Sequence, residues 1–328
     1  MQNTNGSAGS GRRWRVPAVL LVVGLGLVAA LLYSFDLLPG LRRDTPFEAF
    51  APQALADYLP PDTAAVYGFD VRQILTSSCV KANFAGPLEQ LAHRGDATFP
   101  WMKLIGVKLL EDVDRLRIVL GTEDPTHPLF LFEGRFSRDR FKVGPGALEE
   151  NIEDRFRLYE YRDPHTRAIT VLAPAGSYLV VSSARAKVQA ALAYAADPHG
   201  PAPKTPVMEL LKGVDTKQGV WLAAAFHRFA GLHMDGTVGL VLNPIFRYAR
   251  TLAGGMSFGE KLSGDFHLRT GNEADARELE EKLTSSCTLA RGFAELLANS
   301  AWNPILRMMG TGEVRRVGAA IDVHCHLD

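Results

Sequence analysis

Twenty consecutive residues, Val16 to Phe35, carry no charge. As a helix rising ~1.5 Å per residue this run spans about 30 Å, the thickness of a bilayer's hydrocarbon core. About a dozen Val, Leu and Phe contribute roughly −4 to −7 kcal/mol toward insertion, partly offset by Pro17, Gly24, Gly26 and Ser34. A soluble helix shows a polar face, and this run has none. The expectation is one transmembrane helix over 16–35. Arg12, Arg13 and Arg15 precede it with Trp14 at the interface, whereas Asp36, Arg42, Arg43 and Asp44 come after it. That balance places residues 1–15 in the cytoplasm as a short tail and the remainder on the far side. A cleaved signal peptide ending near Val28-Ala29-Ala30 is the alternative, and it exports the same domain. No cysteine stands near the end of the run, so a lipoprotein anchor is excluded.

About 280 residues lie beyond the anchor, enough for one large domain or two modest ones. The 328-residue chain is 47% hydrophobic and 22% charged, with a formal net charge of +0. A neutral chain without long basic runs gives no electrostatic footprint for nucleic acid. Arg outnumbers Lys, a bias associated with GC-rich bacterial genomes. The three cysteines, Cys79, Cys287 and Cys325, form no CxxC motif. Leu75-Thr76-Ser77-Ser78-Cys79 recurs as Leu283-Thr284-Ser285-Ser286-Cys287. In an oxidising compartment Cys79 and Cys287 are either disulfide partners or two small buried residues on helices.

Residues 36–60 read as a connector ending in the turn Leu59-Pro60-Pro61-Asp62. Thr63 to Asp70 reads as a strand, with helices from Val71, over Pro87–His93 and over Trp101–Leu110. Arg115–Leu120 alternates polar and apolar and pairs with Leu129–Phe136 as a hairpin. Ser137 is placed to cap a helix, and the strands Phe156–Tyr161, Ala168–Ala173 and Tyr178–Ser182 come next. A helix runs from Ser183 to Ala196, and a Pro-rich linker covers 197–206. The pattern then restarts. Gln218–Phe226 is a strand, Pro244–Leu252 a helix, and Met256–Lys261 with Leu262–Arg269 a second hairpin. A long helix from Asn272 to about Asn299 starts on a capping box of Thr270 and Glu273. A short helix (Trp302–Met309) and a terminal strand (Val317–Leu327) end the chain. The expected fold class is α+β: an N-terminal transmembrane helix, then two similar modules (61–196 and 207–328) with antiparallel or mixed sheets.

Leu59-Pro60-Pro61-Asp62-Thr63, Phe69-Asp70-Val71-Arg72-Gln73-Ile74-Leu75 and Glu111-Asp112-Val113-Asp114-Arg115 resemble a group of uncharacterised single-span exported bacterial proteins. Gly134-Arg135-Phe136 and Gly219-Val220-Trp221-Leu222-Ala223 fit the same group. The resemblance covers most of the exported part. It implies this architecture and no activity.

Leads on chemistry are few. Gly255-Met256-Ser257-Phe258-Gly259 matches GxSxG, whose glycines let a strand-to-helix turn expose a nucleophile. Here it leads into a hairpin instead, which favours an ordinary strand serine. Asp265, His267, Asp322 and His324 lie downstream in the order a hydrolase triad uses. His324-Cys325-His326 is the best metal candidate. On a strand the two histidines and Asp322 share one face, with His267 a possible further ligand. The same alternation serves a half-buried strand with no metal. Ser78-Cys79-Val80-Lys81 fits SxxK without the partner motifs of penicillin-interacting enzymes. The acidic group Glu149, Glu150, Glu153 and Asp154 reads as a solvated helix end. Asp163-Pro164-His165 and Asp197-Pro198-His199 read as turns, and Trp101, Trp221 and Trp302 as core. No resident cofactor is expected. The favoured function is a non-enzymatic envelope protein, bound to the membrane through 16–35, that meets a protein or an envelope polymer. The alternative is an anchored hydrolase or metal-dependent enzyme using Ser257 or His324/His326.

Overall fold

The computed structural model describes residues 58–84, 99–121, 127–136, 141, 148–153, 156–164, 166–196, 205–226, 243–296 and 303–327. The expected tail, transmembrane run, most of the connector and the linker 197–204 lie outside these residues, as do the helices expected at Pro87–His93 and after Ser137. Trp302, His165 and His199 lie outside as well. Among the described residues no helix is long and apolar enough to cross a membrane.

The fold is mixed α+β, built on one 12-stranded sheet whose order is β11-β12-β10-β9-β8-β1-β2-β3-β7-β6-β5-β4. The strands are β1 (Thr63–Asp70), β2 (Val113–Gly121), β3 (Leu129–Gly134), β4 (Leu148–Glu153), β5 (Phe156–Arg162) and β6 (Ile169–Ala175). They continue as β7 (Tyr178–Ser182), β8 (Val220–Ala225), β9 (Ala249–Phe258), β10 (Leu262–Thr270), β11 (Glu313–Val317) and β12 (Ala320–Leu327). Among the described residues every neighbouring pair is antiparallel, and no mixed pairing occurs. Both halves wind alike. The path β1-β2-β3, with β7 and then β6 returning beside β3, is matched by β8-β9-β10, with β12 and then β11 returning beside β10. The halves meet where β1 pairs antiparallel with β8, from Ala65↔Ala224 to Phe69↔Val220.

Helices α1 (Val71–Thr76), α2 (Pro100–Leu104), α6 (Glu273–Leu296) and α7 (Asn303–Gly310) cover the inner face. This layer buries Phe69, Leu116, Phe132 and Leu179 from the first half with Leu268, Ile321 and Leu327 from the second. Helices α4 (Arg185–Ala196) and α5 (Pro206–Leu211) cover the outer face of the first half, burying Val66, Leu131, Leu158 and Val180. That second layer reaches Trp221, Ala223 and Ala225 of β8 and goes no further. Covered on both sides, β1 and β7 lose the polar alternation of a half-buried strand.

At the join, Trp221 lies across Gly68, where a Cβ would stand 2.0 Å from the indole. Glycine at 68 is therefore a packing requirement. Gly318, at φ 59°, opens the two-residue loop between Val317 and Ala320, as a type II′ hairpin turn requires.

Several expectations are corrected. Helix Trp101–Leu110 is interrupted at Gly106 (φ 60°), leaving α2 and α3 (Leu109–Asp112). The helix expected over Pro244–Leu252 covers only 243–248, because pairing with β8 and β10 draws the chain into β9 from Ala249. Leu148–Glu153 is an edge strand and not a helix end. Its charges suit an exposed edge, and Glu150 pairs with Arg157 at 2.8 Å. The α6 cap sits two residues later than expected: Asn272 Oδ1 accepts from Asp275 N at 2.8 Å, and Asn272 Nδ2 donates to Asp275 Oδ2 at 2.9 Å. Thr270 instead donates its hydroxyl to Asn272 O at 2.7 Å. The terminal strand is the hairpin β11–β12. Cys79, Cys287 and Cys325 are all free thiols.

Candidate functional site

Beyond β8 the outer face of the sheet changes character. Strands β9–β12 turn their apolar alternates inward: Met256 and Phe258, Leu262 and Leu268, Ile321 and Cys325. Their outward alternates form cross-strand rows. Ser257, Ser263 and His326 lie in one, and Gly255, Asp265, His324 and Glu313 in the next. Ala253, His267, Asp322 and Arg315 form a third, and Thr251, Arg269, Ala320 and Val317 a fourth. Asp265, His267, Arg269, Glu313, Arg315, Val317, Asp322 and His324 are exposed. Among the described residues no helix packs on this face. The same face of the first half lies under α4 and α5.

Two crossed His–Asp pairs hold the centre. His267 Nδ1 and Asp322 Oδ1 are 2.7 Å apart, and His324 Nδ1 and Asp265 Oδ1 are 2.5 Å apart. In each, the ring N–H donates to the carboxylate, which has no proton to give when ionised. Strand register makes both pairs direct neighbours. Each carboxylate fixes the orientation of its partner ring.

The expected site residues do not assemble into an active site. Asp322 and His324 share a face with His326, as strand parity requires, and the two imidazole centroids are 6.3 Å apart. Each of the first two faces its own cross-strand partner. Among the described residues no group of three or more His, Cys, Asp or Glu side chains is arranged to hold a metal ion. Ser257 stands opposite Ser263 on the same face. His324 lies two strands and one row away, about 12 Å by strand spacing, far beyond proton-transfer reach. The His324–Asp265 pair therefore does not act on Ser257. Ser257 is a strand residue and makes no nucleophile elbow. Of the SxxK pair, Ser78 and Lys81 are both exposed on the helical segment 78–84. The neighbouring Ser77 does the structural work: it donates to Gly259 O at 3.0 Å and accepts from Val80 N at 3.2 Å.

A cleft of about 480 Å³ opens where α6, α7 and the end of β12 meet. Arg291, Glu295, Arg307, Thr311 and His326 line it. Arg291 is committed to structure, donating through Nε and Nη2 to Gly310 O at 3.1 and 2.7 Å. Of the expected site residues only His326 reaches this cleft. Nothing in the residue pattern pointed to it, because its arginines come from two helices that meet only in the fold.

Burial sets the state of the remaining reactive groups. The Cys325 thiol is pushed up to about 11 by burial, with smaller contributions from Cys287 and Asp265. Burial also raises Cys287. Tyr178 is pushed up to about 12 by burial and by Glu133. All three stay protonated at neutral pH, so neither thiol is an activated nucleophile.

Comparison with known proteins adds no relative: no family model, no curated protein and no solved structure matches the chain.

Proposed function

We propose that this chain is a membrane-anchored extracytoplasmic protein that binds a protein or an envelope polymer through the outer face of β9–β12, without chemistry of its own. One observation carries this: in a sheet whose halves wind alike, one half has its outer face under two helices, and the other exposes a polar array on the same face. Asp, His, Arg and Glu side chains at fixed strand spacing offer donors and acceptors over a broad surface. Such a surface suits a hydrogen-bonding macromolecule better than a small substrate, which needs a concave pocket. The uncharged run 16–35 supports the anchor, and the arginines on its N-terminal side support export of residues 36–328. The array holds carboxylates and guanidinium groups together, so a partner of mixed polarity fits better than a polyanion.

The hydrolase or metal-enzyme reading lacks comparable support, given the separation of Ser257 from His324 and the pairing of His267 and His324 with carboxylates.

The test uses the full chain in detergent, passed over immobilised envelope polymer and over isolated envelope proteins. The comparison is a variant combining Asp265→Asn, His267→Ala, Asp322→Asn and His324→Ala. These positions are exposed and the variant is expected to fold. Retention of the wild type, and at least about tenfold less for the variant, is expected if several hydrogen bonds are lost. Equal retention, or steady turnover of a hydrolysable substrate by the wild type alone, would overturn the proposal.

A further inference from the structure

Cys287 and Cys325 occupy two gaps left by glycines on either side of β12. On one side Gly264 is the direct partner of Cys325. A Cβ built there would lie 3.0 Å from the Cys325 sulfur. On the other side the β11–β12 register, extended one step past Glu313↔His324, sets Gly312 opposite Cys325. Thr311 fixes that alignment. Its hydroxyl donates to His326 O at 2.6 Å and accepts from His326 N at 2.9 Å. A Cβ on Gly312 would stand 2.6 Å from the Cys287 sulfur. The sulfur of Cys287, carried by α6, therefore fills the space a side chain at 312 would take. Directly opposed Cβ positions lie about 5 Å apart, so this sulfur sits on the β11 side of Cys325, whose own sulfur lies on the β10 side against Gly264, and closing the bond takes a turn of Cys325 about its Cα–Cβ bond. The pair is asymmetric: Cys325 is buried, and Cys287 is partly open to solvent.

We propose that Cys287 and Cys325 are a reversible redox pair whose disulfide straps α6 to β12. Cys79 is not part of it: its sulfur accepts a hydrogen bond from Asn83 Nδ2 at 3.4 Å inside the segment 78–84. The oxidant is a small-molecule disulfide. The Cys287 thiol loses its proton and attacks one sulfur of that disulfide, breaking its S–S bond and releasing one thiolate. Cys325, on losing its proton, displaces the second thiolate and closes the Cys287–Cys325 bond. Two protons and two electrons leave the protein, and the small disulfide becomes two thiols. Cys287 is the attacking sulfur because it is the accessible one. The thiol of Cys325, held protonated by burial, makes closure slow at neutral pH and faster as pH rises. The strand so pinned carries Asp322, His324 and His326 on its other side, so oxidation state is coupled to the stiffness of the exposed array.

The experiment uses the full chain in detergent, reduced and then exposed to oxidised glutathione at pH 8.5. Free thiols are alkylated without denaturation, and masses are taken intact and after proteolysis. The wild type is expected to lose about 2 Da and to yield one cross-linked peptide joining 287 and 325. Cys79 should alkylate only after unfolding. Cys287→Ser should abolish the cross-link. The wild-type peptide map decides the matter even if Cys325→Ser does not fold. A glutathione adduct on Cys287 that never resolves, a cross-link through Cys79, or no oxidation at all would each overturn the proposal.

Discussion

Replacing Gly68 by alanine should destabilise the chain, and the same replacement should stabilise it once Trp221 is gone. The ideal Cβ at 68 falls 2.0 Å from Trp221 Cε2 and 2.3 Å from both Cζ2 and Nε1. Carbon atoms rest at about 3.5–4.0 Å, so the indole must move by well over an ångström. Trp221 is 5% exposed, and the Arg117 guanidinium lies 5.4 Å from its ring centroid, so it has little room to do so. Overpacking of this kind costs about 1–3 kcal/mol. Trp221→Ala alone should cost about 3–5 kcal/mol for the cavity it leaves. With the indole absent, the three atoms nearest a methyl group at 68 are gone. Gly68 has no positive φ, so alanine there should gain about 0.4–1 kcal/mol by restricting the unfolded chain. The assay is urea unfolding of the detergent-solubilised chain and its three variants, monitored by far-ultraviolet circular dichroism. Gly68→Ala with the same sign and size in both backgrounds would refute the placement of Trp221 across the β1–β8 join.

The same geometry sets other outcomes. Folded Cys325 holds its proton to about pH 11 against an ordinary 9.0, so the unfolded chain releases it first. Stability from this group is full below pH 9 and should fall by about 2–3 kcal/mol as pH rises toward 11, which unfolding curves taken at pH 8 and pH 10.5 can read. Ser77→Ala removes a donor to Gly259 O and a cap on Val80 N. It should cost about 1–2 kcal/mol by urea unfolding, whereas Ser257→Ala should stay within about 0.5 kcal/mol. Elemental analysis of the chain purified without a histidine tag should find less than stoichiometric zinc or copper, and His324→Ala/His326→Ala should not change it.

Much of the fold was legible locally. The alternation in Arg115–Leu120 and the apolar run Thr63–Asp70 give β2 and β1 because each carries its pairing pattern in its own residues. The illegible parts depend on distant partners. Ala249–Thr251 reads as helix until β8 and β10 claim it, and Glu149–Glu153 reads as a solvated helix end until β5 pairs with it. The union of both halves in one sheet is the β1–β8 ladder, where Trp221 packs against Gly68, residues 153 positions apart whose fit no local pattern encodes. The site was legible only in its parity: His324 and His326 share a face because a strand dictates it. The carboxylate partner of His324 depends on the register between β10 and β12, which sets Asp265 opposite His324 and separates both from Ser257.

The most direct test of the central claim is labelling of Ser263→Cys with a membrane-impermeant maleimide. The chain would carry Cys287→Ser and keep its buried Cys79 and Cys325, with Lys212→Cys, exposed at the C-terminal cap of α5, as control. The account predicts that both sites label in intact spheroplasts of the cells that make the protein. It also predicts that Ser263→Cys labels more slowly there than in purified protein, because a partner covers the outer face of β9–β12, and that the control shows no such difference. Labelling of either site only after lysis, or equal rates at Ser263→Cys in both settings, would contradict it.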